Sequence, residues 1–116
     1  MHEYSVIEQI IKIANQTARD HNAAKVTRIG IVVGEQSGLV DGSLQMYFTV
    51  LAQGTACSEA VLEIEPASAQ WFCPLCKRHF TRQPTSSFFC PECGRDGQPS
   101  SLGKEYYLKD IEIENA

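Results

Sequence analysis

The chain has 116 residues, 43% hydrophobic and 21% charged, with a formal net charge of −4; this is the profile of a single globular domain or one domain with a small satellite. Its longest strongly apolar stretch, around Ile29 to Val33, is too short to span a bilayer. No basic-then-apolar leader with a cleavage site is visible, so the expected compartment is the cytoplasm, without membrane attachment. The acidic balance speaks against nucleic acid as a partner. Yet the charge is uneven: Lys77, Arg78, Arg82 and Arg95 against Glu92 and Asp96 give +2 between Cys73 and Gly97, leaving −6 elsewhere.

From Glu3 to about His21, Ile7, Ile10, Ile11, Ala14 and Ala18 recur at helical spacing and predict an amphipathic helix starting almost at the first residue. His21 falls at its C-terminal end, where a protonated ring is favourably placed. "VTRIGIVVGE" (26–35) is rich in β-branched residues and reads as a buried strand. "GEQSGLVDG" is a connector without the Gly-Lys-Ser/Thr ending of a phosphate loop, and Asp41 is expected to cap the helix that follows. That helix is predicted over 43–53, with Leu44, Tyr47, Phe48 and Leu51 on one face and Gly54 as its stop. "AVLEIEP" (60–66) is a second strand, and "PASAQ" (66–70) reads as a small-residue hinge. A Cys-, Pro- and Gly-rich region from Trp71 to about Gly103 follows, and "EYYLKDIEIE" returns to strand alternation. The expected fold is α+β: a small mixed sheet with two helices, formed by residues 1–68 and 104–116. A four-cysteine, zinc-ribbon-like lobe of residues 69–103 is inserted in it.

Four of the five cysteines form the pattern C-x2-C-x13-C-x2-C: Cys73, Cys76, Cys90 and Cys93. Two intervening residues let each pair turn both sulfurs to one ion, and two such turns supply the four thiolates of a closed tetrahedral Zn(II) site. Gly94 suits the second turn because glycine tolerates positive φ; Lys77 holds the equivalent place in the first and is less suited to it. Four thiolates on Zn²⁺ carry −2, which the local +2 offsets. Disulfides are disfavoured by a cytoplasmic setting, and a thioredoxin-like CxxC normally occurs singly. A rubredoxin-type iron centre uses the same ligands and stays open at this point. A closed site has no coordination position left for substrate, so it acts as a clamp. His79 is a nearby second imidazole, more naturally solvent-exposed than ligating, and Cys57 reads as a small buried hydrophobe.

The opening Met1-His2-Glu3 offers a second kind of site. The α-amine of Met1, the backbone nitrogen of His2 and its imidazole close two fused chelate rings, with Glu3 as a further donor through its amide or carboxylate. Deprotonated amide nitrogen in a tetragonal field suits Ni²⁺ or Cu²⁺ better than Zn²⁺. No nucleophile–base or acid–base constellation appears in the sequence, and no enzymatic activity is expected.

Read together, "MHEYSV", "VTRIGIVVGEQSGLV", "SEAVLEIEPASAQWFCPLC", "CPECG" and "YYLKDIEIE" resemble the HypA/HybF family of hydrogenase nickel-incorporation proteins over nearly the whole chain. The resemblance implies a nickel metallochaperone, monomeric or homodimeric. It implies Ni(II) as cargo at Met1, His2 and Glu3, and structural Zn(II) at Cys73, Cys76, Cys90 and Cys93. The implied partners are a GTPase accessory protein and the large subunit of [NiFe] hydrogenase and, for some members, urease maturation proteins. The alternative reading is a zinc-ribbon module that binds proteins or nucleic acid, and a third is a small iron electron carrier.

Overall fold

A computed structural model of the chain describes residues 3–81, 89–100 and 103–115. Helix α1 runs from Glu3 to Asp20 and buries Ile7, Ile10, Ile11, Ala14 and Ala18, the predicted stripe. At its end His21 Nδ1 lies 2.9 Å from the Thr17 carbonyl oxygen, which also accepts the His21 backbone N–H at 3.2 Å. Asn22, at φ +53°, turns the chain into strand β1 (Ala23–Gly34).

Helix α2 covers Asp41–Leu51, two residues earlier than the periodicity suggests. Asp41 is not its cap. The N-cap is Val40, which makes no side-chain capping bond, and Asp41 is the first helical residue; there its charge still favours the positive end of the helix. Strand β2 spans Val61–Ala67 and alternates as expected, with Leu62 buried and Glu63 and Glu65 exposed. Strand β6 spans Tyr106–Asn115 and half-buries Ile111 and Ile113.

These strands form a sheet in the order β2-β1-β6. Side-chain and backbone pairs give their directions. Along β1, Lys25 meets Glu114, Thr27 meets Glu112, and Gly34 meets Glu105, so β6 is antiparallel. Lys25 meets Glu59, Arg28 meets Glu63, and Glu35 meets Ala67, so β2 runs parallel to β1. A parallel pair needs a crossover, and α2 supplies it. Buried Ile29, Ile31, Leu44, Phe48 and Leu62 join the α1 stripe in the core.

The exposed face of the sheet is organised by one arginine. Arg28 reaches Glu63 Oε1 at 2.8 Å, Asp110 Oδ1 at 2.9 Å and Glu112 Oε2 at 3.0 Å, gripping both outer strands from the middle one. Its guanidinium is consequently held protonated, above all by Asp110. A Cβ on Gly30 would collide with the Asp110 carboxylate and crowd the Arg28 guanidinium, so the residue without a side chain is what admits this clamp.

The chain divides into two compact units, residues 1–32, 39–65 and 107–116 in the first and 33–38 and 66–106 in the second. The second contains its own sheet, in the order β4-β3-β5, from β3 (Gln70–Cys73), β4 (Arg78–Thr81) and β5 (Gln98–Pro99). Both pairings are antiparallel, with Trp71 opposite Phe80, Phe72 opposite His79, and Phe72 opposite Gln98. Within this unit the segment after β1 is tied down by three backbone bonds. Gly34 N–H donates to Glu105 O (2.7 Å), Glu35 N–H to Ala67 O (2.7 Å) and Gln36 N–H to Gly103 O (2.6 Å). No helix among the described residues is long and apolar enough to cross a membrane.

Candidate metal centre

The two CxxC turns are built alike. In the first, Lys77 N–H donates to the Cys73 carbonyl at 2.8 Å; in the second, Gly94 N–H donates to the Cys90 carbonyl at 2.9 Å. Both closing residues have positive φ, +55° at Lys77 and +76° at Gly94. The lysine therefore adopts the left-handed conformation that glycine takes without strain. β3 delivers Cys73 at its end and β4 leaves just after Lys77, so the first turn is the loop of a β-hairpin. A bridge between Phe89 and Asp96, with Cys90 N–H donating to Arg95 O at 2.8 Å, closes the second.

Together the turns place the four sulfurs within 4.8 Å of one another. Cys73 Sγ lies 3.5 Å from Cys93 Sγ, and Cys90 Sγ lies 3.9 Å from Cys76 Sγ. A Zn–S bond of about 2.3 Å sets the edges of an ideal ZnS4 tetrahedron at about 3.8 Å, so the donor set fits a closed tetrahedral ion. Cys73 and Cys90 are buried, Cys76 is half-buried and Cys93 is exposed. Cys76 N–H points at Cys73 Sγ (3.4 Å), and this donation is the main reason the Cys73 thiol is lowered to about 7. Cys76 is pushed up to about 12, chiefly by its contact with the Cys93 sulfur. Arg78 pairs with Glu92 at 2.9 Å across the two turns. His79 is exposed and stacks obliquely on Phe72, with centroids 5.2 Å apart; the four-sulfur group does not include it.

At the other predicted site, Met1 and His2 lie outside the described residues. Glu3 is the first residue of α1 and is only 6% exposed. Its Oε2 accepts the N–H of Val40 at 3.2 Å. The carboxyl is lowered to about 2, first by hydrogen bonding with the amino terminus, then by its own backbone N–H and that of Val40. Glu3 therefore stands at the positive ends of both helices, a second role that the sequence reading missed. Its one legible signal was the apolar Val40 in front of α2, where a helix start ordinarily carries its own polar cap. Tyr4 meets Tyr47 edge-on at 5.7 Å beside it. Cys57 is fully buried, its thiol donating to Asn15 Oδ1 at 3.4 Å, and burial raises its pKa; it belongs to the core, as expected.

Comparisons with known proteins agree with this architecture. Residues 1–113 match the family model described as hydrogenase/urease nickel incorporation, metallochaperone, hypA. The hydrogenase maturation factor HypA of Dehalococcoides mccartyi strain CBDB1 is 34% identical over 115 residues, covering 99% of this chain and 96% of its own. That of Caldanaerobacter subterraneus subsp. tengcongensis is also 34% identical, over 98% and 100% of the two chains. In fold, the chain is similar to the solution structure of the Ni metallochaperone HypA from Helicobacter pylori (TM-score 0.66, 24% identity, all of both chains). A second HypA solution structure gives a TM-score of 0.73 at 24% identity, over 97% and 96% of the chains. The matching family consists of maturation factors that handle metal and are not catalysts. With two helices, mixed sheets, a four-cysteine metal site and sequence similarity along its length, the chain belongs to the HypA family of hydrogenase and urease nickel-incorporation metallochaperones.

Proposed function

We propose that this chain carries Ni(II) on Met1, His2 and Glu3 and passes it to the large subunit of [NiFe] hydrogenase, acting with a GTPase accessory protein in the cytoplasm. The observation that supports this most is the family match that begins at Met1 and takes in the Met-His-Glu triplet. The Met1 amine, the His2 backbone nitrogen and the His2 imidazole are three of the donors. Glu3 supplies the fourth donor through its amide nitrogen or its carboxylate. Amide nitrogens bind only when deprotonated, which favours nickel over zinc at this position. A site made mainly of terminal backbone is open to an incoming ligand set, and cargo leaves by direct ligand exchange.

Cys73, Cys76, Cys90 and Cys93 hold structural Zn(II) in this reading, the sulfur spacing and the closed geometry being its support. The first compact unit carries the nickel site and the second the zinc site. Neither nucleic acid nor a membrane is a partner, and urease maturation proteins are a second class of recipient. Nickel titration of the untagged protein tests the proposal against His2→Ala and against a version extended before Met1. Both changes are expected to abolish tight binding. Binding unchanged in the extended protein would remove the α-amine from the site, and binding unchanged in both would end the reading.

A further inference from the structure

The four sulfurs are not equivalent. Cys73 and Cys90 are buried and Cys76 is half-buried, while Cys93 is exposed. Cys93 Sγ is in contact with Cys73 Sγ of the other turn, 3.5 Å away. Cys76 and Cys90 form the complementary contact at 3.9 Å, again across the turns. The buried Cys90 lines a small cavity of about 140 Å³ with Arg78, His79, Phe80, Pro91 and Glu92, and Cys93 is not part of its wall.

We propose that Cys93 is a thiol-oxidation site at which hydroperoxides open the four-cysteine centre, and that Cys73 resolves it by forming a disulfide across the two turns. The proposal rests on the reading of this centre as a zinc site. In the first step the Cys93 thiolate attacks the O–O bond. An S–O bond forms, the O–O bond breaks, and the departing alkoxide or hydroxide takes a proton from water. In the second the Cys73 thiolate attacks the Cys93 sulfur, the S–S bond forms, and hydroxide leaves and is protonated. Two thiolates, one hydroperoxide and two protons thus yield one disulfide, one alcohol or water, and one further water. The exposure of Cys93 selects the first sulfur, and its 3.5 Å contact with Cys73 selects the second. The products leave Cys76 and Cys90 as the only thiolate donors, half of a closed site, and the ion is released.

The test uses the full-length, zinc-loaded protein and dilute hydrogen peroxide. Zinc content is measured first; its absence would sink the zinc reading itself and is separable from the rest, since the cysteine pairing is mapped independently. Released zinc is followed with a chromogenic chelator, remaining thiols are blocked with N-ethylmaleimide, and tryptic peptides are analysed by mass spectrometry. Trypsin leaves Cys57, Cys73 and Cys76 on peptide 29–77 and Cys90 and Cys93 on peptide 83–95. The expected first product joins these two peptides, with fragment ions placing the link at Cys73 and Cys93, and one equivalent of peroxide releases one of zinc. Cys93→His keeps a zinc donor without an oxidisable thiol and is expected to lose peroxide-driven release. First products confined to one peptide, a link through Cys90, or undiminished release in a zinc-bound Cys93→His protein would overturn the proposal.

Discussion

Adding one methyl group at Gly103 should destabilise the second unit more than adding it at any open glycine. Gly103 has φ +93°, and a Cβ there would lie 2.5 Å from Ala69 Cα, 2.9 Å from Ala69 N and 3.0 Å from Ser68 O. Carbon atoms pack at about 3.5–4.0 Å, so Ala69 must retreat by roughly 1 Å. The obstacle is backbone, which has no rotamer in which to escape. Backbone strain of about 1–3 kcal/mol and overpacking of about 1–3 kcal/mol add, and the stiffer unfolded chain returns about 0.4–1 kcal/mol. The net loss for Gly103→Ala is about 3 kcal/mol, a large part of an ordinary domain's 5–15 kcal/mol. Gly38→Ala separates the terms. Gly38 has a similar φ of +84° with nothing within 4 Å of a new Cβ, so it carries the strain without the collision and should lose only about 1 kcal/mol. Urea unfolding of zinc-loaded protein, followed by the fluorescence of Trp71, the chain's one tryptophan and part of the second unit, measures both. Equal losses in the two variants would show that the 68–69 backbone does not press on Gly103.

Lys77→Gly relieves the positive φ of the first knuckle and should stabilise the second unit by about 0.5 kcal/mol in the same titration; a loss would show that the lysine side chain outweighs its strain. Arg28→Met leaves Glu63, Asp110 and Glu112 facing one another. The variant should melt earlier at pH 7 in low salt, and the gap should narrow as salt is added and screens these exposed charges; a salt-independent gap would mean that the arginine acts only by packing. Cys57 has a raised pKa, so the folded state favours its protonated form. Its contribution is complete below the ordinary value of 9.0 and is lost as pH rises beyond it, because the unfolded chain then ionises first. Cys57→Ala should show a flatter decline in stability above that pH, and parallel curves would contradict the assignment of burial as the cause.

Much of this architecture is written in local pattern. The α1 stripe, the β-branched run of β1 and the alternation of β2 each follow from one-face burial, so periodicity exposes them. The metal centre is legible for a different reason: two CxxC turns at close spacing supply the four thiolates of one tetrahedral ion and have few other uses. What escaped were arrangements that depend on distant partners. The start of α2 was misplaced because its positive end is served by Glu3, 37 residues upstream, and not by a neighbouring cap. Likewise, nothing near Arg28 in the sequence announces three carboxylates arriving from β2 and β6.

The segment between β2 and β3 shows what small residues meant here. "PASAQ" suggested freedom, yet β2 runs on to Ala67 and β3 begins at Gln70, leaving only Ser68 and Ala69 outside strands. The smallness serves contact. Ala69 is 3% exposed and its backbone abuts Gly103, while Gln36 N–H reaches the Gly103 carbonyl at 2.6 Å and Glu35 N–H the Ala67 carbonyl. Two segments of the second unit, 66–69 and 103–105, are thus bonded to a third, Gly34–Gln36. A free hinge would expose these backbone groups to solvent and allow them to exchange their amide protons quickly. The observed bonding requires the opposite: slow hydrogen exchange at Gly34, Glu35 and Gln36, lost together when Gly103→Ala forces these three segments apart. Fast exchange at these three amides in the zinc-loaded protein would show that these segments are not held together.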